Sequence, residues 1–203
     1  AHVNHTIAQI APHDSVERFE GLGAEVIQGE ARFVDRRRVT VNGQTIEAKR
    51  FVVATGSQPM IPPIAGMDPD KVLTHEDIFS LEQQPAHLII IGAGPIGMEM
   101  AQAHRRLGVA VTVIEQATPL PAGEPEHAER VCEALKQEGV EFLCPATIER
   151  VEHGADETRV VVKVDNVSQV VAGSHLLVAA CRRPQVDNLG LELAGIDHDG
   201  RGI

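Results

Sequence analysis

Three glycines, Gly92, Gly94 and Gly97, follow an apolar run at residues 89–91 with the spacing Gly-x-Gly-x-x-Gly. After a buried strand, the first glycine permits a tight turn, and the second lets the backbone approach a pyrophosphate. The third lets the following helix, predicted over residues 98–107, pack closely against the strand. Unpaired N–H groups and about half a positive charge at the helix start would hold two phosphates. The motif therefore predicts dinucleotide binding, and an ordinary glycine-rich turn is the alternative.

Two residues within the same turn, Pro95 and Ile96, are included among the predicted cofactor contacts. Pro95 suits the first helical position, because its fixed backbone angle fits there and its missing N–H would be unpaired within the helix. The proline also removes one possible phosphate donor. Its predicted role is therefore structural first.

A carboxylate stands where the ribose of a dinucleotide would need one. The apolar strand predicted over residues 109–114 ends at Glu115, which lies 18 positions beyond Gly97. At this distance an acidic side chain accepts hydrogen bonds from the adenosine ribose hydroxyls. It would repel a 2′-phosphate. Gln116, which is also a predicted cofactor contact, and the residues up to Leu120 include no guanidinium to neutralise one. The sequence thus favours NAD(H) over NADP(H), and a solvated strand end is the alternative for Glu115.

The bulk composition excludes several classes of function. The chain has 203 residues, 43% of them hydrophobic, and a formal net charge of −11, which argues against nucleic acid and anionic membrane as partners. No apolar stretch approaches the ~20 residues that span a bilayer, and no secretory signal opens the chain. Three cysteines with long spacings suit a reducing cytoplasm better than a disulfide framework or a metal site.

The first part of the chain alternates helical and extended patterns. Residues 1–20 are predicted to be helical with a break at Pro12, and residues 24–27 to form a strand. A β-meander is predicted over residues 31–53, where Asn42-Gly43 is the strongest hairpin signal. A connector rich in proline follows, with a short helix over residues 75–81.

The second part repeats this order. A helix over residues 124–138 places Cys132 on its apolar face, and the chain continues as a strand over residues 139–143. A second meander at residues 148–171 leads into a strand that ends near Pro184. If the halves are duplicated, a first nucleotide-binding βαβ unit is expected upstream of Ala1; two similar meanders that arose independently are the alternative.

Four segments together resemble the middle of a class I pyridine nucleotide-disulfide oxidoreductase: GAGPIGMEMAQ, VTVIE, LTHEDIFSLEQQPAHLIIIG and VVATGSQP. This is the flavoprotein family of dihydrolipoamide dehydrogenase, glutathione reductase and mercuric reductase. The resemblance implies an α/β, Rossmann-like FAD/NAD(P)-binding fold, in which a parallel sheet is combined with helices and a β-meander. It also implies a homodimeric parent in which hydride passes from the nicotinamide to FAD and then to a redox-active cysteine pair.

The chain resembles a central fragment of such an enzyme. Residues 1–84 are expected to be part of the FAD domain, residues 85–184 a complete NAD domain, and residues 185–203 a return segment to the FAD domain. No catalytic residue is assigned, because the redox cysteines and the His/Glu acid–base pair of the family are expected outside this chain.

The resemblance also assigns contacts to individual residues. Gly92, Gly94 and Gly97 would line the pyrophosphate, Glu115 the adenosine ribose, and the main chain of Ile148 the adenine. Glu99 matches an acidic position beside the nicotinamide and flavin, although a Glu in the first turn of a helix is also favoured by the helix dipole. The remaining matches are FAD backbone contacts, at Ala31, Thr55, Gly56 and Ser57.

Cys181 is a departure from the family, which usually has Gly at this position of a Thr-Gly pair. Its side chain would narrow the nicotinamide site, and a reactive thiol is the alternative.

The leading hypothesis is therefore the NADH-binding segment of an FAD-dependent oxidoreductase, inactive as an isolated fragment. A ferredoxin-reductase or NADH-oxidase type flavoprotein and a stand-alone dinucleotide-binding module without turnover are the alternatives.

Overall fold

The computed structural model describes residues 2–121 and 123–203. They form two compact units. The first comprises the chain up to Gln58 together with Arg183–Ile203, and the second comprises Pro59–Arg182.

The described residues contain five α-helices and twelve β-strands in an interleaved order. The helices are α1 (His2–Ile10), α2 (Val16–Gly21), α3 (Pro95–Arg106), α4 (Pro125–Gln137) and α5 (Leu191–Ala194). The strands are β1 (Arg32–Asp35), β2 (Arg38–Val41), β3 (Gln44–Glu47), β4 (Ser57–Met60), β5 (His87–Ile91), β6 (Ala110–Ile114), β7 (Glu141–Leu143), β8 (Thr147–His153), β9 (Thr158–Val164), β10 (Val167–Gly173), β11 (His175–Val178) and β12 (Cys181–Pro184). Among them, no helix is long and apolar enough to cross a membrane.

The second unit is built on a parallel sheet with the strand order β11-β5-β6-β7. Its central strand β5 is covered on both faces, and Leu88, Ile89 and Ile90 have no solvent exposure. Leu88 and Ile90 belong to a core cluster that includes residues of α3 and α4. Ile89 belongs to a second cluster, to which the antiparallel meander β8–β10 contributes. This two-sided burial explains why the strand is a continuous apolar run.

The first unit contains a small antiparallel sheet, β1-β2-β3. The turn between β2 and β3 is the predicted Asn-Gly turn, in which Asn42 and Gly43 have φ values of 50° and 80°. Both residues have the left-handed backbone conformation that a two-residue hairpin turn requires. The core cluster of this unit contains the buried side chains Phe33, Leu191 and Ala194 and their half-buried neighbours, and Val41 of β2 is buried as well.

Several predicted elements differ from the structure. Residues 24–27 and 51–53 are not strands, and residues 75–81 contain only a 3-10 turn at Ile78–Ser80. A strand needs a neighbour to pair with, and an apolar alternation cannot by itself supply one.

The contact boundaries also differ from the predicted domain boundaries, which were placed after residues 84 and 184. The connector over residues 59–84 packs in the second unit, where Ile61, Ile64 and Met67 contact a core cluster. Leu73 forms a parallel bridge to Leu177 of β11. Prolines and glycines suggested a linker, whereas the apolar side chains between them bind the segment to this core.

Candidate functional site

The glycine turn joins β5 to α3 as the spacing predicted. Gly92 has a φ of +105°, and a Cβ there would lie 2.6 Å from the carbonyl oxygen of Ala179. A Cβ at Gly97 would overlap the Gly92 carbonyl oxygen, whereas one at Gly94 would meet no atom within 4 Å. Gly92 and Gly97 are therefore required for packing. Gly94 instead leaves open space in front of the backbone.

Helix α3 begins at Pro95, three residues before the predicted start at Met98. Gly94 is its N-cap and Pro95 its first residue, in agreement with the role predicted for this proline. No side chain caps this helix start. The first-turn amides therefore lack the side-chain acceptor that commonly satisfies them, and an anion is suited to that place.

The carboxylate of Glu115 contacts the glycine turn itself. Its Oε2 accepts a hydrogen bond from the N–H of Ala93 at 2.8 Å, and its Oε1 accepts one from the N–H of Ala117 at 2.9 Å. Glu115 is half-buried, so a merely solvated strand end is the wrong description. Because a carboxylate offers about four acceptor positions, two stay available for ribose hydroxyls. Sequence reasoning missed the contact with Ala93, for which no local signal exists.

A cavity of about 220 Å³ opens beside this turn, within the second unit. It is lined by Gly94, Pro95 and Ile96 of the turn, by residues 178–182, and by Pro59 and His75. The structure thus brings Cys181, which is exposed, to the predicted pyrophosphate residues. Pockets for whole small molecules measure about 300–1,000 Å³, so this cavity has room for part of a dinucleotide.

Two residues of this cavity were missed by sequence reasoning. Nη1 of Arg182 lies 2.5 Å from Nε2 of His75, although the residues are 107 positions apart. His75 is half-buried and Arg182 is exposed. The contact brings a cation to the lining of the cavity.

The other predicted nucleotide contacts occupy different parts of the second unit. Gln116 is exposed directly after Glu115, and Ile148 is half-buried on β8, where its side chain packs into a core cluster. The predicted adenine contact through the main chain of Ile148 stays a prediction. Glu99 is exposed in α3, and no acidic residue lies in the first turn of that helix, so the first-turn explanation for Glu99 is wrong.

The predicted flavin contacts lie in the first unit. Ala31 is exposed just before β1, and Ser57 begins β4. Thr55 donates its hydroxyl to the carbonyl oxygen of Gln185 at 2.5 Å, while the Gly56 carbonyl accepts the Gln185 N–H at 2.9 Å. Gly56 has a φ of +72°, which a glycine adopts without strain. This turn is therefore held by the segment that follows β12.

A larger cavity of about 480 Å³ lies behind the loop that follows Glu115, against α4. It is lined mainly by apolar side chains together with Cys132 and Cys144. Burial raises the pKa of both thiols. Cys132 packs against the core cluster of the α3 and α4 face, as predicted, although it is only half-buried.

Comparisons with known proteins agree with this architecture. The sequence model of the family described as "Pyridine nucleotide-disulphide oxidoreductase" matches residues 6–203. A mercuric reductase from Lysinibacillus sphaericus is 39% identical over 192 residues, which are 94% of this chain and 35% of that protein. A dihydrolipoyl dehydrogenase from Thermus scotoductus is 35% identical over 194 residues, with 91% of this chain and 41% of that protein covered.

Among solved structures, the HOCl-induced flavoprotein disulfide reductase RclA from Escherichia coli matches with a TM-score of 0.74. It is 31% identical, and the match covers 87% of this chain and 40% of that one. The chain spans about two fifths of the length of these relatives. With the family match over nearly its whole length, the chain belongs to the pyridine nucleotide-disulphide oxidoreductase family, whose members are flavoprotein oxidoreductases.

Proposed function

We propose that the second unit binds NADH and, in a longer parent protein, presents its nicotinamide to FAD for hydride transfer. The observation that carries this proposal is the hydrogen bond from Ala93 N–H to Glu115 Oε2. This bond links the Glu115 carboxylate, which would bind the adenosine ribose, to the turn that would bind the pyrophosphate. The uncapped helix start and the open space at Gly94 support the same role.

The proposed nucleotide preference follows from the charge of Glu115. A 2′-phosphate at the ribose would lie against this carboxylate, and like-charge contacts of this kind are strongly unfavourable. The residues up to Leu120 offer no cationic side chain that would neutralise it. We expect NADH to bind at least about tenfold more tightly than NADPH, which corresponds to ~1.4 kcal/mol.

Titration calorimetry on the 203-residue chain tests this function. Wild type, Glu115→Gln and Glu115→Arg are titrated with both nucleotides, and Glu133→Gln, an exposed change on α4, is the matched control. Gln keeps an acceptor for the backbone but loses the charge, so the preference for NADH should shrink; Arg should reverse it. Thermal melts of all four proteins show whether loss of the Ala93 and Ala117 contacts has unfolded the turn. NADPH binding as tight as NADH binding in the wild type would overturn the assignment.

The proposed flavin role belongs to the first unit, through Ala31, Thr55, Gly56 and Ser57. Because these residues would contact FAD mainly through the backbone, they supply only part of a flavin site. We expect the purified 203-residue chain to bind NADH without retaining FAD and without NADH-dependent reductase activity. A yellow protein with flavin absorbance and turnover of an artificial electron acceptor would contradict this expectation.

A further inference from the structure

The strand order determines where the two ends of a dinucleotide would lie. Strand β6, which leads to Glu115, is on one side of β5, and β11 is on the other. With the adenosine ribose at Glu115 and the pyrophosphate at the start of α3, the nicotinamide half extends over the carboxyl end of β11. Residues 178–182 and the cavity of about 220 Å³ are at that place. This step rests on the proposed function.

A permanent cation, the Arg182 guanidinium, lines this cavity where the nicotinamide would lie. The Arg182 guanidinium can only donate hydrogen bonds, so Nε2 of His75 is the acceptor in this contact, and it brings no negative charge to the guanidinium. The contact therefore orients the guanidinium without cancelling its charge. The start of α3, whose Pro95 and Ile96 also line the cavity, adds partial positive charge of its own.

Two carboxylates follow His75 in the connector, those of Glu76 and Asp77. Both side chains are exposed. Oδ2 of Asp77 accepts hydrogen bonds from the hydroxyl and the N–H of Thr74, at 2.7 and 3.0 Å. Of the charged and titratable side chains here, Arg182, His75 and Cys181 line the cavity, and Glu76 and Asp77 do not. The permanently charged side chain of the lining is therefore the cationic Arg182.

Oxidation changes the charge of the nicotinamide ring, which is cationic in NAD⁺ and neutral in NADH, while the ribose, pyrophosphate and adenine stay the same. We propose that Arg182, positioned by His75, makes this site bind the reduced dinucleotide more tightly than the oxidised one. A cation beside a cationic ring is unfavourable and beside a neutral ring is not. The site would thus retain the hydride donor and release its oxidised product.

The experiment compares dissociation constants of NADH and NAD⁺ for the 203-residue chain at low ionic strength and pH 8. Arg182 is exposed, so its charge is screened by solvent and its effect on binding is modest. We expect Arg182→Gln to lower the ratio of the NAD⁺ dissociation constant to the NADH dissociation constant by about two- to fivefold. Arg182→Lys keeps the charge and should keep most of the ratio. His75→Gln retains an acceptor and should preserve the ratio, whereas His75→Leu should lower it.

Arg183→Gln is the matched control. Consecutive strand side chains point to opposite faces, and the Arg183 guanidinium is paired with Asp187 at 2.7 Å. The control should therefore leave the ratio unchanged. About 0.5 M NaCl, which shortens the screening length, should lower the wild-type ratio without any substitution.

The outcomes separate this inference from the proposed function. If both nucleotides bind and Glu115 changes act as expected, but Arg182→Gln leaves the ratio unaltered in a protein with the wild-type melting temperature, the inference is overturned and the function stands. A wild type that binds NAD⁺ as tightly as NADH overturns it too. If Arg182→Gln does not fold, the salt dependence of the wild-type ratio decides. If neither nucleotide binds, the proposed function fails and the inference with it.

Discussion

Replacing Gly94 by valine should separate nucleotide binding from folding. Gly94 has a φ of −74° and a ψ of −179°, an extended conformation that any residue adopts. A Cβ there would meet no protein atom within 4 Å. It would occupy the open space in front of the first turn of α3, where the pyrophosphate has been placed. The variant should therefore keep the fold and lose the ligand.

The magnitudes of the two effects differ. Valine is a poorer N-cap than glycine, which costs at most about 1 kcal/mol of unfolding free energy and lowers the melting temperature by about 2–4 °C. Charge-assisted hydrogen bonds contribute ~1.5–3 kcal/mol each, so displacing the phosphates from one or two amides should weaken NADH binding by well over tenfold.

Gly97→Ala is the comparison variant, in which the fold itself should lose stability. Its Cβ would overlap the carbonyl oxygen of Gly92, so α3 must move away from β5. Overpacking of this kind costs about 1–3 kcal/mol, visible as a clear fall in melting temperature. Calorimetric titration with NADH and a thermal melt are run on both variants and the wild type. If Gly94→Val binds NADH like the wild type, or melts as early as Gly97→Ala, the assigned role of Gly94 is wrong.

Three further predictions concern other parts of the second unit. Thr112→Val should lower the free energy of unfolding by about 1–3 kcal/mol, as a urea titration would measure. The buried hydroxyl of Thr112 lies 2.9 Å from Nε2 of His87 and donates to Glu141 Oε2 at 2.9 Å, and valine loses both contacts. Cys181 should be alkylated by iodoacetamide before the two half-buried cysteines, whose raised pKa values keep them protonated at neutral pH, and NADH should slow its labelling. Hydrogen bonds from Thr74 lower the pKa of Asp77. The contribution of Asp77 to stability is therefore present above the ordinary aspartate pKa of about 4 and is lost as the pH falls through the lowered value. The stability difference between wild type and Asp77→Asn should shrink in acid.

Each of these three predictions has a control or a result that would contradict it. Thr45→Val, an exposed change on β3, should leave the urea midpoint within experimental error. Mass spectrometry of the alkylated peptides identifies the order of labelling, and equal rates at all three cysteines would contradict the assigned environments. An Asp77→Asn difference that is constant between about pH 6 and pH 3 would show that the Thr74 contacts do not favour the ionised carboxyl.

The sequence by itself determined the features that depend on neighbouring residues. The turn at Asn42-Gly43, the positive φ of Gly92, the close packing at Gly97 and the suitability of Pro95 for a first helical position each follow from backbone angles or sterics within a few positions. The apolar run of β5 identified a strand buried on both faces, because only such a strand excludes polar residues from both sides.

Tertiary structure alone decided which distant groups meet. The contact of His75 with Arg182 joins the connector to the end of the parallel sheet, and no periodicity or motif links positions so far apart. The bond between Ala93 and Glu115 likewise depends on two strands lying side by side in parallel register. Residues 24–27 and 51–53 have the sequence of strands but no strand structure, because a ladder requires a partner whose position local sequence does not encode.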